Sequence, residues 1–253
     1  MRTYKIVLII LVVLIGFSVF LVLNLQRDRA PVIKKVKPAV IVVQPGQKEI
    51  LTEKGIDSVL NTMEKVPFEK LGQAYLNFSW YNKATFKSNM GGRIFYIVKE
   101  ADASKNLVGK YKVADFMPKD SRLRKIHASE ISATQYLSID KSVLNKLLDL
   151  IIALEQSGYD KYAFTINDGY RYPHFNELEE GATNSQHIYG MAIDLAIGDI
   201  NKDGNFDEAT DKKIVLKLLE DNIIKNSGGV GRYPSTNVVH FDIRGFNKRW
   251  DYQ

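Results

Sequence analysis

Ser185-Gln-His187-Ile-Tyr-Gly190-Met-Ala192-Ile-Asp194 sets a histidine and an aspartate seven positions apart, with a glycine, an alanine and apolar residues between them. A second stretch, Val238-Val-His240-Phe-Asp242-Ile-Arg244, supplies another histidine near the C-terminus. Each stretch reads as a strand or the lead-in to one. In the second, His240, Asp242 and Arg244 alternate with Val239, Phe241 and Ile243, and period two puts the two sets on opposite faces. In the first, Ile193, Leu195 and Ile197 are expected to face a core, with Ala192, Asp194 and Ala196 turned the other way. Alternation alone also describes ordinary half-buried strands with a polar outer face. Two imidazoles and one carboxylate are nevertheless a sufficient ligand set for a catalytic zinc with one position open.

The string Ser185-x-His187-x-x-Gly190-x-Ala192-x-Asp194, followed by Val239-His240-x-Asp242-x-Arg244-Gly245, resembles the zinc D-Ala-D-Ala carboxypeptidase family of bacterial peptidoglycan peptidases. The resemblance extends upstream to Asp168-Gly-Tyr-Arg171-Tyr-Pro173-His-Phe-Asn176 and takes in Gly228-Gly-Val-Gly231-Arg-Tyr233-Pro234. It implies a zinc ion held by His187, Asp194 and His240, acting on peptide stems of the cell wall. It also implies that Arg171 holds substrate near the metal, since a guanidinium can bind a carboxylate through two parallel hydrogen bonds. The bland alternative for Arg171 is a structural pair with Glu177 or Glu179. Ser185 is expected to contact substrate rather than attack it, because no partner base adjoins it. His174 reads as a supporting or surface residue.

Zinc would polarise a scissile carbonyl and make its water more acidic, and a general base must then move a proton to the leaving amine. Here the chain departs from the pattern. Several branches of the family carry an acid three positions before the second histidine, where this chain has Asn237. Asp242 is the nearest candidate for the base; the same carboxylate could instead orient a ligand imidazole. The alternative to a peptidase is a non-catalytic wall-binding module that keeps the metal fold.

Between the two stretches, Asp199-Ile-Asn201-Lys-Asp203-Gly204-Asn205-Phe-Asp207-Glu-Ala-Thr-Asp211 matches the start of an EF-hand loop. Position twelve is Thr210 rather than a bidentate glutamate. Calcium held by Asp199, Asn201, Asp203, Asn205, Asp207 and Asp211 is the expectation, with a structural role. A helix carrying Val215, Leu216, Leu219 and Ile223 on one stripe is expected to follow.

The remaining chain frames this domain. Residues 6–23 form an uncharged run bounded by Lys5 and Arg27, long enough to nearly span a hydrocarbon core of about 30 Å. A transmembrane signal anchor over 1–25 is the expectation, since no Ala-x-Ala-like cleavage site follows. A basic, proline-containing tether at 26–50 would then hold the enzyme extracytoplasmically, on the cell-wall side of the membrane. Residues 51–119 read as a small subdomain of unknown role, in which the aromatic cluster Leu76-Asn-Phe-Ser-Trp80-Tyr81 is expected to be core. Residues 120–253 read as an α+β zinc domain, a small antiparallel sheet with packed helices. Asp140 can cap a helix from Lys141 to Gln156, ended by Gly158. His127 reads as a surface or packing residue.

The net charge of +6 suits an anionic polymer or membrane surface. Nucleic acid is set aside, because no helix-turn-helix, zinc-finger or RNA-binding signature is present. The chain has no cysteine, which excludes disulfides and thiolate metal sites.

Overall fold

Asp140 caps the helix α2, Lys141–Gln156, by accepting from the Ser142 N–H, and Gly158 follows its end at a φ of +80°. Its apolar stripe of Val143, Leu144, Leu147, Leu148 and Ile151 is buried. An earlier helix, α1 (Glu53–Leu60), is capped by the Thr52 hydroxyl and buries Ile56 and Leu60. The computed structural model describes residues 48–120 and 135–252. All of these lie in one unit, Lys35–Gln253.

Three sheets are present among the described residues. Strands β1 (Glu64–Pro67), β2 (Ile94–Val98) and β5 (Gln135–Leu137) make an antiparallel sheet, and β3 (Asn106–Val108) pairs with β4 (Tyr111–Lys112). The site is carried by a five-stranded sheet in the order β10-β8-β9-β7-β6. Its strands are β6 (Phe164–Asp168), β7 (Ala192–Ile197), β8 (Gly229–Gly231), β9 (Val238–Asp242) and β10 (Lys248–Trp250).

The α+β architecture is as read from the sequence, with two corrections. The sheet is mixed, because β10 runs parallel to β8 while the other neighbours are antiparallel. In addition, no helix of the described residues is long and apolar enough to cross a membrane. The 16 residues of α2 rise only about 24 Å, short of a hydrocarbon core of about 30 Å, and their apolar stripe is spent on the core. Among the described residues the expected fold is thus corrected to one without a membrane-crossing helix. The span expected at 1–25, the tether to residue 47 and His127 lie outside the described residues.

One hydrophobic core runs through the unit. Leu144, Leu147 and Ile151 of α2 join Phe164 and Ile166 of β6, Ile193, Leu195 and Ile197 of β7, and Phe241 of β9. Tyr81, Phe95 and Tyr111, from the stretch read as a preceding subdomain, belong to the same core. Two of its side chains reach the turn that carries His187. The Tyr81 hydroxyl donates to the Ile188 carbonyl at 2.6 Å, and Arg93 Nη1 donates to the Tyr189 carbonyl at 2.8 Å. Trp80 stacks on the His174 ring at 4.0 Å between centroids, which accounts for both as packing partners.

His187 lies on a 3-10 turn, Gln186–Tyr189, rather than on a strand, and Gly190 ends that turn at a φ of +65°. A Cβ on Gly190 would sit 2.2 Å from the Ser138 carbonyl oxygen. Gly190→Ala should therefore destabilise the protein by about 3–4 kcal/mol, combining left-handed strain with the clash. Urea unfolding of the variant against the parent measures this.

Candidate metal centre

Strand pairing assembles the centre. In the β7–β9 ladder Asp194 lies directly opposite His240, and Asp168 of β6 lies against Asp194 on its other side. The turn before β7 brings in His187. All three candidate ligands are buried. His187 Nε2 is 3.2 Å from Asp194 Oδ1, His240 Nδ1 is 2.7 Å from the same oxygen, and the two ring nitrogens are 3.2 Å apart.

The far ring nitrogens say which atoms are free to bind. His187 Nδ1 meets the Gly169 carbonyl at 2.6 Å, and a carbonyl only accepts, so that nitrogen carries the proton. His240 Nε2 meets Asp242 Oδ2 at 3.0 Å and donates to it. The second nitrogen of each ring, His187 Nε2 and His240 Nδ1, is the one turned toward Asp194 Oδ1. Three side chains that can each ligate a cation thus converge on one point. Nitrogen and oxygen ligands about 2.0–2.1 Å from a tetrahedral zinc lie about 3.3–3.4 Å apart, slightly wider than the spacings here. The residues fit such an ion, and the carbonyl and carboxylate behind the rings are the outer partners that metal-bound histidines usually have.

Burial pushes the Asp194 carboxyl up, but the His187 and His240 rings reverse the effect and hold it well below the usual carboxylate range. Arg171, also buried, donates from one amino group to Asp168 at 2.8 Å and to Asp194 at 3.0 Å. Its hydrogen-bond partners are thus one of the three candidate ligands and a neighbour on β6, rather than Glu177 or Glu179.

Asp242 is fully buried and crowded with donors. Its Oδ1 accepts from the Gly229 and Arg244 backbone N–H groups and from Arg244 Nε, while Oδ2 meets His240 and the Arg244 guanidinium. Asn237 is buried as well and donates to the Ile197 carbonyl.

The glycines of β8 explain how side chains from both neighbouring strands reach the centre. A Cβ on Gly229 would fall 2.4 Å from Asp242 Oδ2, and one on Gly231 would fall 2.8 Å from the Trp250 indole. The strand is a floor across which Asp242 and Trp250 lie. Trp250 thereby comes to 5.1 Å from the His240 ring. Gly231, opposite both His240 and Trp250, sits in the same cross-strand row.

Two further residues carried no assigned role in the sequence reading. Tyr233 is nearly buried and holds a left-handed backbone, φ 39°, unusual for a bulky residue. The fully buried Lys212 accounts for it. Its ammonium donates to the Tyr233 and Thr236 carbonyls at 2.8 Å each and to Glu208 at 2.9 Å, clamping the turn that leads into β9. The pair with Glu208 is local, but nothing in the sequence marks this lysine as a clamp, because its two carbonyl partners lie more than twenty positions ahead.

A cleft of about 380 Å³ opens over the centre, lined by Arg171, Ser185, His187, Asp194, Tyr233, His240, Arg244, Lys248 and Trp250 among others. Ser185 thus lies where a substrate contact is expected. Asp242 and Asn237 do not line it.

The loop at 199–211 uses its oxygens differently from the calcium expectation. Asp199 accepts from the Asp203 and Gly204 N–H groups, Asn201 and Asp203 bond to each other, and Asp203 also accepts from Asn205. Asp207 accepts from Ala209, while buried Asp211 accepts from Ile200, Asn201 and Asp207. Among the described residues the only acid-and-histidine group gathered closely enough to hold a metal is His187, Asp194 and His240. Calcium therefore finds no support in this arrangement. The expected helix does follow, with Val215, Leu219 and Ile223 buried, and its turns widen to π geometry at both ends.

Residues 138–250 match the family described as peptidoglycan L,D-endopeptidase MepK. That family is one of M15 zinc peptidases. The match spans the turn with His187, both ligand strands and Trp250, and it bears out the resemblance carried by the motifs. No curated protein and no solved structure matches the chain.

Gly231→Ala should push Trp250 off His240 and cost about 1–3 kcal/mol by overpacking. In a Trp80→Phe background the remaining tryptophan is Trp250, so its fluorescence spectrum should shift in the Gly231→Ala variant.

Proposed function

We propose that the protein is a zinc metallopeptidase that cleaves bonds within the peptide stems of peptidoglycan. The observation that carries this reading is the convergence of three residues able to ligate a metal, His187, Asp194 and His240, at the base of an open cleft. The matched family's description as an L,D-endopeptidase favours an internal bond over removal of a terminal D-alanine. Such a substrate lies outside the cytoplasm, and the domain is proposed to work there.

His187, Asp194 and His240 would hold the ion. Bound there, zinc supplies Lewis-acid chemistry, polarising a peptide carbonyl and acidifying water. Gly169 and Asp242 keep the two imidazoles in the tautomers that leave His187 Nε2 and His240 Nδ1 free. Arg171 steadies Asp194 with one amino group and lines the cleft where substrate would lie. Burial raises the Tyr233 phenol above its ordinary range, so it stays protonated and serves as a hydrogen-bond donor to a substrate carbonyl oxygen. Ser185 contacts substrate at the cleft wall.

Asp242 is assigned a positioning role in place of the general base. Both its oxygens are taken up by Gly229, Arg244 and His240, and it has no place in the cleft lining. Asn237 is an amide on the far side of β9's ligand row and moves no proton.

Zinc-loaded full-length protein incubated with cross-linked muropeptides should cut the cross-link, read by mass. Chelation or His187→Ala should abolish the products. Release of one alanine from a stem pentapeptide ending in D-Ala-D-Ala would make it a carboxypeptidase instead. No product from fully zinc-loaded protein would overturn the reading in favour of a wall-binding module. Asp242→Asn should weaken zinc binding by about 10–100-fold yet recover activity at saturating zinc. An inactive variant at full zinc content would return Asp242 to the role of base.

A further inference from the structure

The basic side chains of the cleft differ in what they are paired with. Among its described lining residues stand three basic side chains, Arg171, Arg244 and Lys248, and one carboxylate, Asp194. Two of the cations are already committed. Arg171 pairs with Asp168 and Asp194, and Arg244 pairs with Asp242 through Nε and Nη2. Lys248 is different. It is exposed, and among the described residues its ammonium meets no carboxylate and makes no hydrogen bond; it stands 5.8 Å from the centroid of the Trp250 ring.

Register fixes where this free charge stands. Lys248 and Trp250 are two apart on β10 and so share a face. Trp250 lies in the cross-strand row of Gly231 and His240, whereas Lys248 lies in the row of Gly229 and Asp242. The ammonium stem therefore starts about 6–7 Å along the strand from the row that ends on a metal ligand, roughly two residues of an extended peptide. Around it the cleft is walled by aromatic rings. Phe246 and Tyr252 are 60% and 78% exposed, so large apolar faces are held open beside the lysine rather than spent on the core.

We propose that Lys248, framed by Phe246, Trp250 and Tyr252, is a subsite for a carboxylate of the substrate peptide about two residues from the bond that is cut. The inference rests on the peptidase reading above and adds a preference for anionic peptides to it. A carboxylate there pairs the one lining cation that meets no carboxylate among the described residues, and the rings cover the aliphatic part of the chain that bears it. Arg244 cannot take this role while Asp242 occupies its fork.

The test pairs a peptide that the full-length, zinc-loaded enzyme cuts with versions in which each carboxylate is amidated in turn. One amidation should lower kcat/KM by about tenfold, chiefly through KM, and Lys248→Gln should lower activity on the parent peptide to the same level. That variant should cut the amidated peptide as well as the wild type does, and Lys248→Arg should keep the preference. Equal losses on both peptides, or no loss on either, would overturn the subsite. Calorimetric titration of the same pair into zinc-loaded protein separates the two readings. If no peptide is cut but the wild type binds the carboxylate form more tightly and Lys248→Gln does not, the peptidase reading fails and the subsite stands. Equal binding of the pair to the wild type overturns the subsite whatever is cut.

Discussion

The antiparallel register that sets Asp194 of β7 opposite His240 of β9 is the constraint on which the rest depends. A slip of one residue would turn one of the two side chains to the opposite face of the sheet and separate them. The register is held on the other face by Ile193, Leu195 and Phe241, all without solvent exposure, so the hydrophobic core and the ligand geometry enforce the same pairing. Flanking strands extend the logic. On one side β6 and the residues after it bring Arg171, held by Asp168, to the second oxygen of Asp194, and on the other β8 leaves room for the groups behind His240.

That room is made by absent side chains. Gly229 and Gly231 give the site a backbone floor over which Asp242, Arg244 and Trp250 lie, so residues from β9 and β10 converge on the same imidazole. The tautomer of His240 is consequently decided two strands deep. Arg244 holds Asp242, Asp242 holds Nε2, and Nδ1 is left for the metal. Polar groups this deeply buried are tolerable because nearly every one is paired within the network.

The insertion between the ligand strands works in the same way on a larger scale. Its acidic residues close their own loop on backbone N–H groups, and the helix that follows delivers Lys212 to the turn before β9. A fully buried ammonium is costly unless it is well bonded, and three acceptors meet it here. The result is a stiff support for Tyr233 in a backbone conformation it would not adopt alone.

Much of this was legible in the amino-acid order, because short-range spacing carries it. The ligand trio, the α2 stripe with its Asp140 cap, and the strands around Asp194 and His240 follow from period and motif within stretches of about ten residues. The roles of the neighbours were not legible. Whether Asp242 faces the cleft or Arg244, whether Arg171 is free, and why β8 is rich in glycine depend on strands that meet only after folding. The loop at 199–211 shows the same limit, since its oxygens match a cation-binding spacing while the folded loop spends them on its own backbone. Sequence determined which donors this protein carries and on which faces of its strands. Tertiary structure alone decided which of them remain unpaired, because a hydrogen-bond partner is a matter of distance in space and not of position along the chain.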